Sequence, residues 1–311
     1  MTSTVLKPLT VAVAAVSLVG CFSSSSSSDG TGSLSLDVTD APVDSLEEVN
    51  ISFTGITLNP SDGPHIEIPL DEAQLDEQPI DVLSLQRGNA ATLIENEEVP
   101  AGEYEWIRLD TVDNETYPDM YVVVDQDGGR EDLSVRAARG LQLSGGFTVP
   151  EGGSADFTID IDLRSAITNP QSDGKGYFLR PSLRLVDNTE VGEIAGTVYQ
   201  EYYDACENHP DEFAGAVYVY EGSDAELVDY HIDEDEGVDQ APLMSASVKY
   251  DEDEAEYNYV AAFLKEGDYT IAYTCDLDDP EEEDDLEFQG ERNVTVVADE
   301  TQEEDFEGSS E

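Results

Sequence analysis

The chain has 311 residues, 72 of them acidic and 13 basic, for a formal net charge of −59 at neutral pH. That balance supplies no basic face for phosphate contacts, which excludes nucleic-acid partners, and anionic lipid head groups are repelled as well. With 39% hydrophobic residues the length suffices for two domains with cores of their own. The acidity is not a tail: Val191 to Glu311 alone holds 39 acidic and 3 basic residues, and the remainder is also acidic. A uniformly acidic, lysine-poor surface keeps a protein hydrated and dispersed in concentrated salt, where self-repulsion is screened within a few ångströms. The composition therefore predicts salt adaptation.

Residues 1 to 20 carry one charged side chain, Lys7, followed by an apolar run from Val11 to Val19 that is too short to span a bilayer. They read as a signal peptide. Leu18-Val19-Gly20-Cys21 resembles the lipobox of bacterial lipoproteins, which implies Cys21 as the mature N-terminal residue and the point of lipid attachment. Phe22 in place of an aspartate resembles the pattern sent to the outer membrane of a Gram-negative cell. The membrane link is then the acyl chains themselves. Residues 21 to 32, with Ser23 to Ser28 at their centre, are a flexible tether.

From Ser33 to Val38 apolar and polar residues alternate with period two, the pattern of a half-buried strand, and Thr39-Asp-Ala-Pro42 ends it. Val49, Ile51 and Phe53 continue the alternation, which slips by one at Gly55 and predicts a bulge there. Asn59 to Gly63 is a turn, and His65 to Leu70 a strand. Gln78 to Leu85 and Ala91 to Ile94 fit either short strands or single helical turns, and the pattern does not arbitrate. Val99 to Tyr104 feeds a strand through Leu109, and Met120 to Val124 is another. Phe147 to Pro150, the turn Glu151 to Ser154, and Asp156 to Leu163 read as a hairpin. Tyr177 to Val186 reads as a single last strand.

Several of these stretches, taken together, resemble a known family. Leu34 to Val43, Phe53 to Ile56, Pro100 to Leu109, Gly146 to Pro150, Phe157 to Arg164 and Leu179 to Val186 are similar, in order, to the blocks of the bacterial domain of unknown function family 4382. The resemblance covers residues 33 to 190. It implies an exported lipoprotein with a β-rich fold, and it brings no catalytic residue.

A second domain is expected over residues 191 to 298. Glu193 to Tyr199, Ala216 to Tyr220, Ser245 to Tyr250, Tyr257 to Phe263, Tyr269 to Thr274 and Asn293 to Val297 are short alternating segments between acidic loops, the spacing of a small β-sandwich. Leu264 to Tyr269 repeats the arrangement of Val99 to Tyr104, an apolar residue, a glycine turn and a strand-opening tyrosine. That spacing resembles the carboxypeptidase-regulatory-like and transthyretin-like sandwiches. With Cys21 lipidated, Cys206 and Cys275 are the remaining pair, and an exported setting predicts a disulfide between them. Residues 299 to 311 read as a disordered acidic tail.

The chemistry-bearing residues are sparse. His65, His209 and His231 stand at no metal or triad spacing, and no HExxH, nucleophile elbow or P-loop occurs. Hard oxygen ligands for calcium gather at Asp125 and Asp127, at Asp233 to Glu236, and at Asp284 and Asp285 within the run from Asp276. None completes an EF-hand, and a solvated loop is the alternative for each. Eleven tyrosines from Tyr199 to Tyr273 crowd the second domain, where they either stack on sugar rings or fill the core.

The sequence thus predicts an all-β lipoprotein of two sandwich domains in tandem. Its expected role is non-enzymatic, a tethered binding or structural module of the cell envelope without a cofactor. The alternatives are a calcium- or carbohydrate-binding surface protein and a hydrolase with a dispersed acidic site. Which envelope protein or glycan it meets is not written in the sequence.

Overall fold

The computed structural model describes residues 30–41, 46–112, 120–124, 129–137, 139–168, 176–206, 213–229, 242–252, 254–276, 278 and 284–307. The chain begins with β1 (Thr31–Ala41), β2 (Leu46–Ile51), β3 (Phe53–Pro60) and β4 (Ile66–Pro69). A short helix follows, α1 (Glu72–Asp76), which Asp71 and Gln74 close with a capping box. Then come β5 (Ile80–Asp81), a 3-10 turn over Val82–Leu85, β6 (Ala91–Pro100), β7 (Gly102–Thr111), β8 (Tyr121–Val124), β9 (Gly129–Val135) and β10 (Leu141–Val149). The first unit ends with β11 (Ser154–Asp162), α2 (Leu163–Ala166), β12 (Ile167–Thr168), β13 (Tyr177–Leu179) and β14 (Leu183–Asp187).

These strands form three sheets, ordered β14-β11-β1-β6, β10-β7-β3-β4 and β12-β13-β9-β8-β2-β5. In the first, β1 runs parallel to β11 and antiparallel to β6. The inward residues of all three sheets meet in one apolar core that includes Leu34, Leu36, Val49, Ile56, Ile107 and Ile159. The slip expected at Gly55 is present as a register shift between Phe53 and Gly55 in the pairing of β3 with β7.

The second unit consists of β15 (Val191–Thr197), α3 (Gln200–Tyr203), a 3-10 turn over Asp204–Cys206, β16 (Ala216–Glu221), β17 (Met244–Ser247), β18 (Lys249–Asp251), β19 (Glu256–Lys265), β20 (Gly267–Thr274), β21 (Phe288–Val296) and β22 (Thr301–Glu303). Two four-stranded sheets, β18-β19-β15-β22 and β17-β16-β20-β21, enclose a separate core with Ile194, Val217, Tyr259, Ile271, Tyr273 and Phe306. The fold is all-β in two sandwich-like units.

Three expectations are corrected. The stretch Phe147 to Leu163 is not a hairpin: β10 pairs with β7 and β11 with β1 and β14, so the Glu151 turn carries the chain from one sheet to another. Phe147 and Phe157 then face each other across the layers with ring centroids 5.4 Å apart. Tyr177 to Val186 is two strands in different sheets, because Pro181 has no N–H to continue a ladder. Residues 299 to 307, read as tail, belong to the second unit. There β22 pairs in parallel with β15, Phe306 bridges to Val198, and the Phe306 ring is fully buried.

The repeated tyrosine turn does the same work in both units. Tyr104 donates its hydroxyl to the carbonyl of Pro100 at 2.6 Å, and Tyr269 donates to that of Lys265 at 2.8 Å. Each tie spans four residues, and each closes a crossover between sheets, β6 to β7 and β19 to β20. Burying a phenol requires a partner for its hydroxyl, and the turn's own carbonyl provides it.

Candidate functional site

The two units meet through polar groups. Arg164 of α2 donates to Asp278 at 2.7 Å and to the Tyr218 hydroxyl at 2.8 Å, and Tyr218 in turn bonds the same Asp278 oxygen. The side chains of Arg164 and Asp278 are 5% and 0% exposed, so this ion pair is out of water and its partners cannot be replaced by solvent. A second contact runs from the Arg87 guanidinium to the carbonyl and side chain of Asn258. Burial pulls the Arg87 guanidinium below its ordinary value, against the pull of Asp251.

Beside these contacts lies a small cavity with Thr39, Asp40, Gln86 and Asp160 on the side of the first unit and Ser245 and Ser247 on the other. It has room for about one water-sized body at its centre. Thr39 donates bifurcated bonds to the carbonyls of Leu85 and Asn89 at 2.9 and 2.8 Å, which binds the loop after the 3-10 turn around the end of β1.

Both carboxylates here are buried. Asp160 accepts from Arg184 at 2.7 and 3.2 Å through one oxygen, while its Oδ1 and both oxygens of Asp40 have no hydrogen-bond partner among the described residues. Burial pushes the Asp40 carboxyl well above its ordinary value, and the Asp160 charge adds to the rise. The Gln86 side chain and the Leu163 N–H face Asp40 and favour its charged form without closing to bonding geometry. Burial raises Asp160 too, against the opposing Arg184.

The sequence reading overlooked these two residues. Asp40 lies in the stretch Thr39 to Pro42, whose pattern marks only the end of a strand. Asp160 falls on the face of β11 opposite Phe157, Ile159 and Ile161, where a carboxylate is normally solvated. Its burial comes from Arg184 and the second unit, which alternation along one strand does not encode.

Of the residues singled out from sequence, Cys21, Asp125 and Asp127 lie outside the described residues, as does the run Asp233 to Glu236. The Asp229 carboxylate accepts from the Asp284 N–H, and Asp276 accepts from the Glu287 N–H at 2.6 Å, so Asp229 and Asp276 tie down the backbone around Asp284 and Asp285. Among the described residues no three His, Cys, Asp or Glu side chains gather at metal-ligand spacing. Cys206 and Cys275 are joined by a disulfide across 69 positions, and the Tyr273 hydroxyl, which donates to the Ala214 carbonyl at 2.7 Å, lies 3.2 Å from the Cys206 sulfur.

The tyrosines divide. Tyr218, Tyr220, Tyr259, Tyr269 and Tyr273 are core residues. Tyr203, Tyr257 and Tyr250 form a contiguous group at the end of the second sandwich, with centroids 4.2 and 5.1 Å apart and Tyr250 52% exposed.

Fold and junction together define a tandem all-β chain whose units share a buried polar interface. Within it, residues 31–181 match the family described as "Domain of unknown function (DUF4382)". The match stops just short of β14, the edge strand that completes the first sheet. No curated protein matches the chain. Among solved structures, the TIE protein of Bacillus anthracis is 10% identical with a TM-score of 0.21, and the alignment covers 89% of this chain and 34% of that one. The minor pilin of Streptococcus agalactiae is 12% identical over 88% of this chain and 94% of its own, with a TM-score of 0.18. The major pilin subunit of Bacillus cereus is 10% identical over 88% and 98%, with a TM-score of 0.20. Scores of this size do not establish a shared fold. No helix among the described residues is long and apolar enough to cross a membrane.

Proposed function

We propose that this protein is a non-enzymatic lipoprotein of the outer membrane, in which a domain of the DUF4382 family and a second sandwich form a tethered binding or structural module. The observation that carries the reading is Cys21, which stands ten residues ahead of Thr31, where β1 begins, behind a lipobox-like sequence and followed by a serine run. An acyl chain on Cys21 would anchor the body, and the serine run would let it stand clear of the head groups that its charge repels. The polar junction supports a body of fixed shape over two independent beads. Expressed in a Gram-negative host, the chain should partition into detergent and yield an N-terminal peptide that begins at Cys21 and carries a diacylglycerol mass. Cys21→Ser should stay in the aqueous phase. An unmodified, water-soluble product from the unsubstituted chain would end this reading.

One observation favours a glycan as the partner, namely the partly exposed Tyr203, Tyr257 and Tyr250 group with Asp204 beside Tyr203. Rings stack on the apolar faces of sugars while carboxylates accept from hydroxyls. Tyr250→Ala should then lose binding to a neutral glycan that the parent chain retains on an array.

A further inference from the structure

The chain carries 72 acids against 13 bases, yet one sheet face gathers positive charge that no acid answers. Arg108, Arg164, Arg184 and Arg292 each pair with a carboxylate. Arg136, Arg139 and Arg180 are exposed and form no ion pair among the described residues.

The parallel pairing of β9 with β13 brings two of these together. Leu179 stands beside Val135, and the Arg136 N–H bonds the Leu179 carbonyl at 3.0 Å, so the next residues in register are Arg136 and Arg180. On its other side Arg180 continues the ladder, its N–H bonding the Ala166 carbonyl at 2.7 Å, and Pro181 after it favours extended backbone. Leu133, Val135 and Leu179 face the core, so alternation turns Arg136, Phe178 and Arg180 to the outer face of the sheet. There the two arginines stand one strand spacing apart, about 5 Å between backbones. The Arg136 guanidinium lies over the Phe178 ring with its carbon 3.4 Å from the centroid. Arg139 follows three residues on, in the turn that the Gly140 N–H closes on the Ala137 carbonyl. Like charges side by side on a sheet repel, and the nearest carboxylate on that face of β9 is Asp132, about 13 Å back along the strand.

We propose that Arg136 and Arg180 bind the phosphate group of a small phosphorylated molecule, with Arg139 adding positive charge beside them.

Two guanidinium charges match a doubly charged oxyanion, and a phosphate monoester carries close to two charges at neutral pH where a carboxylate carries one. Each guanidinium is a planar fork whose paired N–H groups fit phosphate oxygens. The charge of −59 limits what accompanies the phosphate, because a polyanion or an anionic bilayer would set its further charges against the acidic surface. Composition speaks for the whole surface, and a single phosphate meets only this face of it.

The test is calorimetric titration of the full chain with inorganic phosphate, in chloride at constant ionic strength. Binding is the readout because phosphate steadies many proteins merely by exclusion from their surface. Saturable uptake of one phosphate per chain is expected. Arg136→Gln and Arg180→Gln should each weaken it about tenfold or more, the loss of a charge-assisted contact. Arg136→Lys, which keeps the charge and loses the fork, should fall between Arg136→Gln and the parent. Arg108→Gln should bind as the parent does, since Arg108 is already paired with Asp110. Arg180 makes no side-chain hydrogen bond or ion pair among the described residues, so Arg180→Gln should keep the parent's unfolding midpoint, which separates lost binding from lost structure. In a Cys21→Ser background, which carries no acyl chain, phosphatidylcholine vesicles with or without phosphatidic acid should leave the chain in solution. No saturable uptake, undiminished uptake in both glutamine variants, or capture by phosphatidic-acid vesicles without uptake of free phosphate would overturn the proposal.

Discussion

Tyr104 and Tyr269 show how one hydroxyl decides whether an aromatic residue can close a turn. The ring fills the core while the phenol bonds a carbonyl four residues back, so removing the oxygen strands that carbonyl without opening a cavity. Tyr104→Phe and Tyr269→Phe should each cost about 1 kcal/mol, read as a shift in denaturant midpoint at unchanged slope. An unshifted midpoint in both would mean that the ties are incidental. The buried phenols also set an alkaline limit. Burial pushes Tyr104, Tyr220, Tyr259, Tyr269 and Tyr273 above their ordinary value, so the folded chain holds these protons after the unfolded chain has begun to release them near pH ~10. Their contribution to stability is complete below that pH and is lost as pH rises toward the folded values. The share of the tyrosinate absorbance that belongs to these five should therefore rise in one cooperative step with unfolding. A rise to the absorbance of all fifteen tyrosines before any loss of structure would contradict the burial.

Individual strands here derive their stability from crossings between layers. The Cys206–Cys275 disulfide ties the turn after α3 to the end of β20, and closing a loop across 69 positions removes on the order of 4 kcal/mol of unfolded-chain entropy. Replacing both cysteines by alanine should lower the unfolding midpoint of the second unit by a comparable amount. Close to that bridge, Phe306→Ala should cost about 3–5 kcal/mol, because the ring is fully buried among Tyr202, Tyr259 and Tyr273. Nothing in the sequence advertised this. Phe306 is a lone apolar residue in an acidic stretch, and a three-residue parallel strand leaves no periodicity to count. Alternation identified β1 and β7 because each has one wetter and one drier face, whereas β16 and β20 are buried on both. It could not assign partners, so the turn at Glu151 was read as a hairpin when it is a change of sheet. The repeated tyrosine turn was legible, because its ingredients are adjacent in sequence. The Asp40 and Asp160 pair was not, since two acids among 72 acquire meaning only from what covers them.

At the scale of the whole molecule the charge and the junction act together. Self-repulsion at −59 opposes compaction, and salt screens it, so the midpoint of unfolding should rise from low to molar monovalent salt. A flat response would remove salt adaptation as the reason for the composition. The buried Arg164–Asp278 pair then decides whether the chain behaves as one body or as two. Removing one member of such a pair leaves a buried charge without compensation and costs about 3–5 kcal/mol. The most direct measurement is scanning calorimetry of the full chain beside Arg164→Ala in molar salt. A single cooperative transition in the parent that separates into two in the variant is the predicted result. Two independent transitions already present in the parent, unchanged by the substitution, would contradict a module held rigid at its junction.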